Sequence, residues 1–178
     1  MYDLSRSVSI RQATVADAQA IAELHVRSWQ YAYQGLLPQN YLDSMGDTLN
    51  ARIEVRRIEL ENVPLQSRWW VAQQGRLVVG WAVTEPSRDA DASPTTAEVR
   101  ALYLSPEAIG KGIGRILFSQ TVADLRQREY ARATLWVLKS NAHARRFYEA
   151  AGWSPDEMSK VVERPGALLH EVRYSTAL

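Results

Sequence analysis

The chain has 178 residues, 46% hydrophobic and 23% charged, close to the average for soluble globular proteins, so one domain spanning residues 1–178 with a sizeable core is expected. Lys and Arg total 21 against 20 Asp and Glu, and the resulting net charge of +1 gives no general attraction to nucleic acid or to an anionic membrane; any anion site must be local. With no cysteine, the chain has no disulfide, no thiolate metal site and no cysteine nucleophile, a composition that suits a reducing, cytoplasmic location.

Residues 1–11 mix Asp3, Arg6 and Arg11 with scattered apolar residues and lack the apolar core of an export signal. No apolar run approaches the roughly 20 residues of a membrane-spanning helix. His25, His143 and His170 have no metal-ligand spacing, so no metal is expected.

Residues 8–11 read as a first strand, and Thr14 with Asp17 has the form of a capping box that opens a helix. Ala18, Ile21, Leu24 and Ser28 mark one face of that helix. Pro38 suits the first turn of a helix through Tyr41 and Leu42, and the charged stretch 47–61 reads as another that ends before Pro64. Its Arg52, Arg56 and Arg57 are countered by Glu54, Glu59 and Glu61, the pattern of a solvated helix rather than of a nucleic-acid surface. Residues 68–73 and 76–84, rich in Trp and Val and joined through Gln74-Gly75, read as an antiparallel hairpin with a polar exit loop over 86–95.

A strand over 97–104, a glycine-punctuated turn, a helix over 112–128, a strand over 133–138 and a helix over 141–151 then form a crossover. Gly152 suits the end of the last helix, and residues 157–163 and 168–174 read as a closing antiparallel pair around Pro165-Gly166. Strands outnumber helices and alternate with them irregularly, which implies an α/β (α+β) fold around a mixed sheet. No internal repeat or linker divides the chain.

The most informative segment is Leu102-Tyr103-Leu104-Ser105-Pro106-Glu107-Ala108-Ile109-Gly110-Lys111-Gly112-Ile113-Gly114-Arg115, which passes from a strand through glycines straight into a helix. The first N–H groups of a helix lack internal partners and carry the positive end of its dipole, so such a turn can cradle a diphosphate, with Lys111 and Arg115 adding charge. A tight connection that binds nothing has the same spacing. The nucleotide pattern GxxxxGK[ST] is absent, and GxGxxG fails because Arg115 stands where a third glycine is needed.

This segment resembles motif A of the GNAT superfamily of acyl-CoA-dependent N-acetyltransferases. The stretch Leu135 to Trp153, with its Asn141-x-x-Ala144-x-x-Phe147-Tyr148-x-x-x-Gly152-Trp153 ending, resembles the strand and helix that follow in that family. Trp29-x-x-Ala32-Tyr33-x-Gly35-Leu36-Leu37-Pro38 is similar to a stretch found in many bacterial members. The resemblance covers nearly the whole chain and implies a mostly antiparallel sheet of about seven strands, splayed between its central strands and flanked by helices. It also implies acetyl-CoA as cosubstrate, an amine acceptor that is a small molecule, an amino acid or a protein amino group, and a monomer or homodimer. One departure is Ile109, where the family usually carries Gln or Arg. That substitution motivates an alternative function, a non-catalytic acyl-CoA-binding or sensing module.

Acetyl transfer to an amine requires a base for the ammonium proton, a partner for the thioester oxygen and an acid for the leaving thiolate. Glu98 matches a glutamate that serves as base in some family members, and strand alternation from Glu98 to Leu102 predicts that both share a face. A carboxylate paired with an arginine such as Arg100, with water as the base, remains the other reading. By the same resemblance the N–H of Leu102 faces the acetyl oxygen, Leu104 lies along the pantetheine arm, and Tyr103, Ile109, Gly110, Lys111, Gly112, Ile113, Gly114 and Arg115 complete the cofactor site. Tyr148 is the matched acid, although Ala144, Phe147, Tyr148 and Ala151 also have the spacing of a helix core face. Asn141 is placed to cap its helix or bind pantetheine, and Arg145 and Arg146 to reach CoA phosphates or solvent. Trp29, Tyr31 and Tyr33 resemble the region that shapes the acceptor pocket in relatives, and aromatic rings can enclose an amine through apolar and cation contacts.

Overall fold

A computed structural model describes residues 7–178; residues 1–6, part of the segment read above as lacking an export signal, lie outside the described residues. The chain runs β1 (Val8–Gln12), α1 (Ala18–Ala32), α2 (Gln39–Ser44), α3 (Leu49–Glu61), β2 (Arg68–Gln74), β3 (Leu77–Pro86), β4 (Thr96–Leu104), α4 (Ile113–Gln127), β5 (Arg132–Leu138), α5 (Ala142–Ala150), β6 (Ser154–Arg164) and β7 (Ala167–Ala177). The strands form one seven-stranded sheet in the order β1-β2-β3-β4-β5-β7-β6, antiparallel except for the β4–β5 pair. This is the mixed, mostly antiparallel sheet expected.

Both faces are covered, which explains why β2 is apolar at consecutive positions. Trp69 and Val71 pack with Ile21, Leu24 and Leu60 of α1 and α3, whereas Trp70 and Ala72 pack with Ile113 and Leu117 of α4. Each fully buried leucine of this kind contributes about 2 kcal/mol. The outer side of α3 is solvated as its charge pattern suggests, with Arg57 paired to both Glu54 and Glu61. No helix of the described residues is long and apolar enough to cross a membrane.

The sheet opens at its centre. β4 and β5 pair only at Thr96↔Arg132, Ala97↔Ala133 and Glu98↔Thr134, after which they part and β5 continues on β7 as far as Leu138↔Glu171. The upper half of β4 keeps β3 on one side alone. Ser105 N–H donates to Val79 O at 2.9 Å, and the register Leu104↔Gly80, Tyr103↔Trp81, Leu102↔Ala82 fixes the alternation above it. Backbone groups of Tyr103 therefore face β3, and those of Leu102 and Leu104 face the gap. The Ser28 hydroxyl on α1 donates to the Leu104 carbonyl at 2.7 Å, filling one of these vacant partners from outside the sheet.

The register also corrects a sequence expectation. Thr84 pairs with Val99 and Val83 with Ala101, so Arg100 is an extra residue in β4. Such a bulge reverses the alternation beyond it. Ala97, Val99 and Leu102 consequently pack on the α4 and α5 side, while Ala101 and Tyr103 pack on the α1 and α3 side. Glu98 shares the latter face, so Glu98 and Leu102 stand on opposite faces rather than on one.

A second irregularity lies at the start of β6, expected from residue 157 but beginning at Ser154. Its register shifts between Pro155↔Tyr174 and Ser159↔Val172, freeing Asp156 to meet the buried Arg173 guanidinium at 2.9 Å. Arg173 also binds Asp89 at 3.1 Å and Asp91 at 2.7 Å, anchoring the loop after β3 to β7. Asp89 in turn accepts from the Trp136 indole N–H at 3.0 Å, which fixes that ring beside the sheet opening.

Candidate active site

A cavity of about 790 Å³ occupies the opening between β4 and β5 and is lined from both faces of the sheet. On the α4 and α5 side stand Leu102, Leu104, Ile109, Gly110, Gly112, Gly114, Arg115, Asn141 and Tyr148, with His143 and Arg146. On the other side stand Glu98, Tyr103, Trp29, Tyr31 and Tyr33, joined by Arg88, Arg100, Trp136, Lys160, Arg164 and Glu171. A volume of this size suits a ligand larger than a single amine.

The glycine turn has the conformation that the sequence suggests. Gly110 and Gly112 adopt φ of +77° and +79°, in the left-handed region that side chains disfavour, and no atom lies within 4 Å of where a Cβ would stand on either. Gly112 is the N-cap of α4, so the amides entering the helix are presented next to the cavity. Gly114 serves a different need: a Cβ there would come within 2.9 Å of Leu104 Cδ1, so glycine lets the helix start pack against β4. Ile113 is buried in the core against β2 and β3 and Lys111 is exposed, and both lie outside the lining.

On α5, Asn141 Oδ1 accepts from the Ala144 N–H at 3.0 Å, so the cap is real and the side-chain amide N–H₂ is left over. Tyr148 is 8% exposed, packed among Phe118, Phe147 and Tyr174, and still borders the cavity. Burial holds its phenol well above the usual value, so it is protonated at neutral pH. Its hydroxyl makes no hydrogen bond to another described residue, whereas the Tyr174 hydroxyl is held between Arg145 and Glu149 at 3.1 and 2.6 Å. Arg145, placed at the cofactor by the resemblance, is thus turned to Tyr174 and the Lys139 carbonyl, outside the lining. Arg146, one position on, borders the cavity instead.

Glu98 is 4% exposed, and both of its oxygens meet Arg88, at 3.0 and 3.2 Å, rather than the Arg100 anticipated from sequence. Arg100 binds Glu85 at 3.2 Å. Trp29 and Tyr33 stack with ring centroids 4.5 Å apart, and Tyr31 is 57% exposed at the mouth. Burial raises the Tyr33 and Tyr103 phenols. Sequence reasoning missed the contributions of Arg88 and of the β6–β7 hairpin, whose polar residues carry no local motif. Among the described residues no group of His, Cys, Asp and Glu could hold a metal ion.

His25 lies behind the cavity wall, in ring contact with Trp29, Trp81 and Tyr103 at centroid distances of 5.5, 5.6 and 4.9 Å. Burial, with repulsion from Arg56 and Arg52, pushes its pKa from 6.5 down to about 3. The unfolded chain therefore takes a proton that the folded one refuses, and stability is lost as pH falls from 6.5 toward 3. Thermal denaturation at pH 6.5 and at about pH 5, above the range of the carboxylates, should show a falling midpoint for the native chain and a flatter response for His25→Phe. Equal slopes in the two proteins would remove His25 as the cause.

The family model described as "Acetyltransferase (GNAT) family" matches residues 18–153. The chain belongs to the GNAT acetyltransferase family. A Bacillus subtilis protein named uncharacterized N-acetyltransferase YuaI is 30% identical over 172 residues, covering 93% of this chain and 90% of that one. A spermidine N(1)-acetyltransferase of Thermoplasma acidophilum is 22% identical, covering 85% and 91%. Among solved structures, the PaiA N-acetyltransferase of Thermoplasma acidophilum in complex with coenzyme A superposes with a TM-score of 0.71 at 19% identity, covering 97% of this chain and 99% of that one. Salmonella typhimurium YncA, with acetyl-CoA, gives a TM-score of 0.68 at 23% identity, covering 97% and 95%. These two likenesses establish the GNAT fold, whose split sheet is the opening between β4 and β5.

Proposed function

We propose that the chain transfers an acetyl group from acetyl-CoA to a primary amine, by direct attack in a ternary complex. One observation carries this reading: a single cavity joins the glycine turn, the outward backbone of Leu102, Tyr148 and Glu98 through the parted sheet. Solved GNAT relatives that hold coenzyme A or acetyl-CoA support it.

In this account the amides of residues 110–114 bind the diphosphate, helped by Arg115 and by the dipole of α4. Leu104 borders the pantetheine arm, and the spare amide of Asn141 binds it. The Leu102 N–H, free of any strand partner, donates to the thioester oxygen as charge develops there. Glu98, from the opposite face, takes the proton released as the nitrogen forms its bond to the acetyl carbon, directly or through a water. The Tyr148 hydroxyl gives its proton to sulfur as the carbon–sulfur bond breaks. The products are the N-acetylated amine and the free thiol of CoA, and the proton taken by Glu98 restores that of Tyr148 through solvent.

The test is to incubate the protein with acetyl-CoA and a panel of amino acids, peptides, monoamines and polyamines while following free thiol. Turnover that depends on the acceptor supports the transferase. Binding of acetyl-CoA with no turnover on any acceptor would leave the acyl-CoA-binding module.

A further inference from the structure

The acceptor side of the cavity carries an unusual charge arrangement. Three of its four cations are matched within the protein: Arg88 with Glu98, Arg100 with Glu85, and Lys160 with Glu171 at 3.5 Å. Arg164, near the end of β6, has no carboxylate within ion-pair distance among the described residues; its Nη1 donates only to the Glu163 carbonyl at 3.1 Å. The turn that follows packs closely against the segment before α2, since a Cβ added at Gly166 would come within 2.9 Å of the Pro38 ring. Arg164 is thus a cation on the cavity wall without a counter-charge.

The aromatic rings point the same way. Trp29 already has the Arg164 guanidinium 5.9 Å from its centroid and Tyr33 stacked on it. Trp136 has Lys160 at 4.0 Å and Arg173 at 5.8 Å. Rings attended by the protein's own cations are poor hosts for a second positive group of a ligand. An acceptor with two or more ammonium groups meets an arginine unmatched among the described residues and two tryptophans that already face cations, and like charges brought together repel.

We infer that the acceptor is an amine that also bears a carboxylate, an amino acid or the carboxylate-bearing end of a short peptide, and that Arg164 binds that carboxylate. Guanidinium and carboxylate match in shape and charge, and a site that bonds a charged group discriminates against the neutral analogue lacking it. The inference rests on the transferase reading and adds the acceptor class to it.

The experiment compares matched acceptors, each amino acid against its own amide and its decarboxylated amine, with a polyamine arm, using the full chain and acetyl-CoA. A preference of at least about tenfold in kcat/KM for the acids is expected, of the size that loss of one charged hydrogen bond produces. In Arg164→Ala that preference should collapse to within about twofold through a rise in KM for the acids, and Arg164→Lys should recover part of it. Calorimetric affinity for acetyl-CoA, measured on the same samples, reports that the variants are folded. Amides or polyamines used as well as the acids would overturn this inference and leave the transferase standing. No turnover on any arm would overturn both.

Discussion

The Tyr148→Phe variant is expected to bind acetyl-CoA as the native chain does and to lose about a hundredfold or more in kcat, the usual scale for removing a positioned acid. The variant keeps the ring, and with it the packing against Phe118, Phe147 and Tyr174. It removes one hydroxyl that has no partner among the described residues, so the fold has little to lose. That hydroxyl is protonated at neutral pH because burial raises its pKa, the state a proton donor to sulfur requires. A purely structural tyrosine, whose packing the phenylalanine keeps, predicts instead a small change in kcat with the melt equally unmoved. Steady-state kinetics separate the two, and thermal melts on the same preparation report that the variant is folded.

The second large effect is expected at the glycine turn. Gly112→Ala places a methyl group where φ is +79° and where no protein atom lies within 4 Å. The backbone cost is about 1–2 kcal/mol. The larger consequence concerns the ligand, because a side chain at that point meets only what occupies the cavity, and acetyl-CoA affinity should fall at least about tenfold, or 1.4 kcal/mol. Gly75→Ala is the control: Gly75 has φ of +60° and open space around it, but it lies in the β2–β3 turn outside the cavity lining. It should show a similar loss of stability with unchanged affinity. Equal affinities for the two variants, measured by calorimetry, would remove the turn from the binding site.

What the sequence made legible was local. The glycines of the turn, the Asn141 cap and the position of Tyr148 on its helix all follow from residues a few positions apart, and the structure shows each as the spacing suggests. Period-two counting could not see the bulge at Arg100, because one extra residue leaves no mark in composition and yet moves Glu98 to the face opposite Leu102. The partner of Glu98 was missed for a related reason: Arg88 sits in what reads as a polar exit loop, and long-range contacts, the clamp of Asp89 and Asp91 on Arg173 and the Trp136 bond to Asp89, hold that loop beside the opening. Arg164, Lys160 and Glu171 reach the cavity through the pairing of β5 with β7 and β7 with β6, a register that no short motif encodes. Arg145 and Arg146 differ by one helical step, about 100°, enough to send the first toward Tyr174 and the second to the cavity.

The most direct measurement is a crystal structure of the chain soaked with acetyl-CoA. Diphosphate oxygens within hydrogen-bond reach of the amides of residues 110–114, and a thioester lying between the Leu102 N–H and the Tyr148 hydroxyl, are the predicted result. A cosubstrate bound elsewhere, with the gap between β4 and β5 left empty, would contradict it.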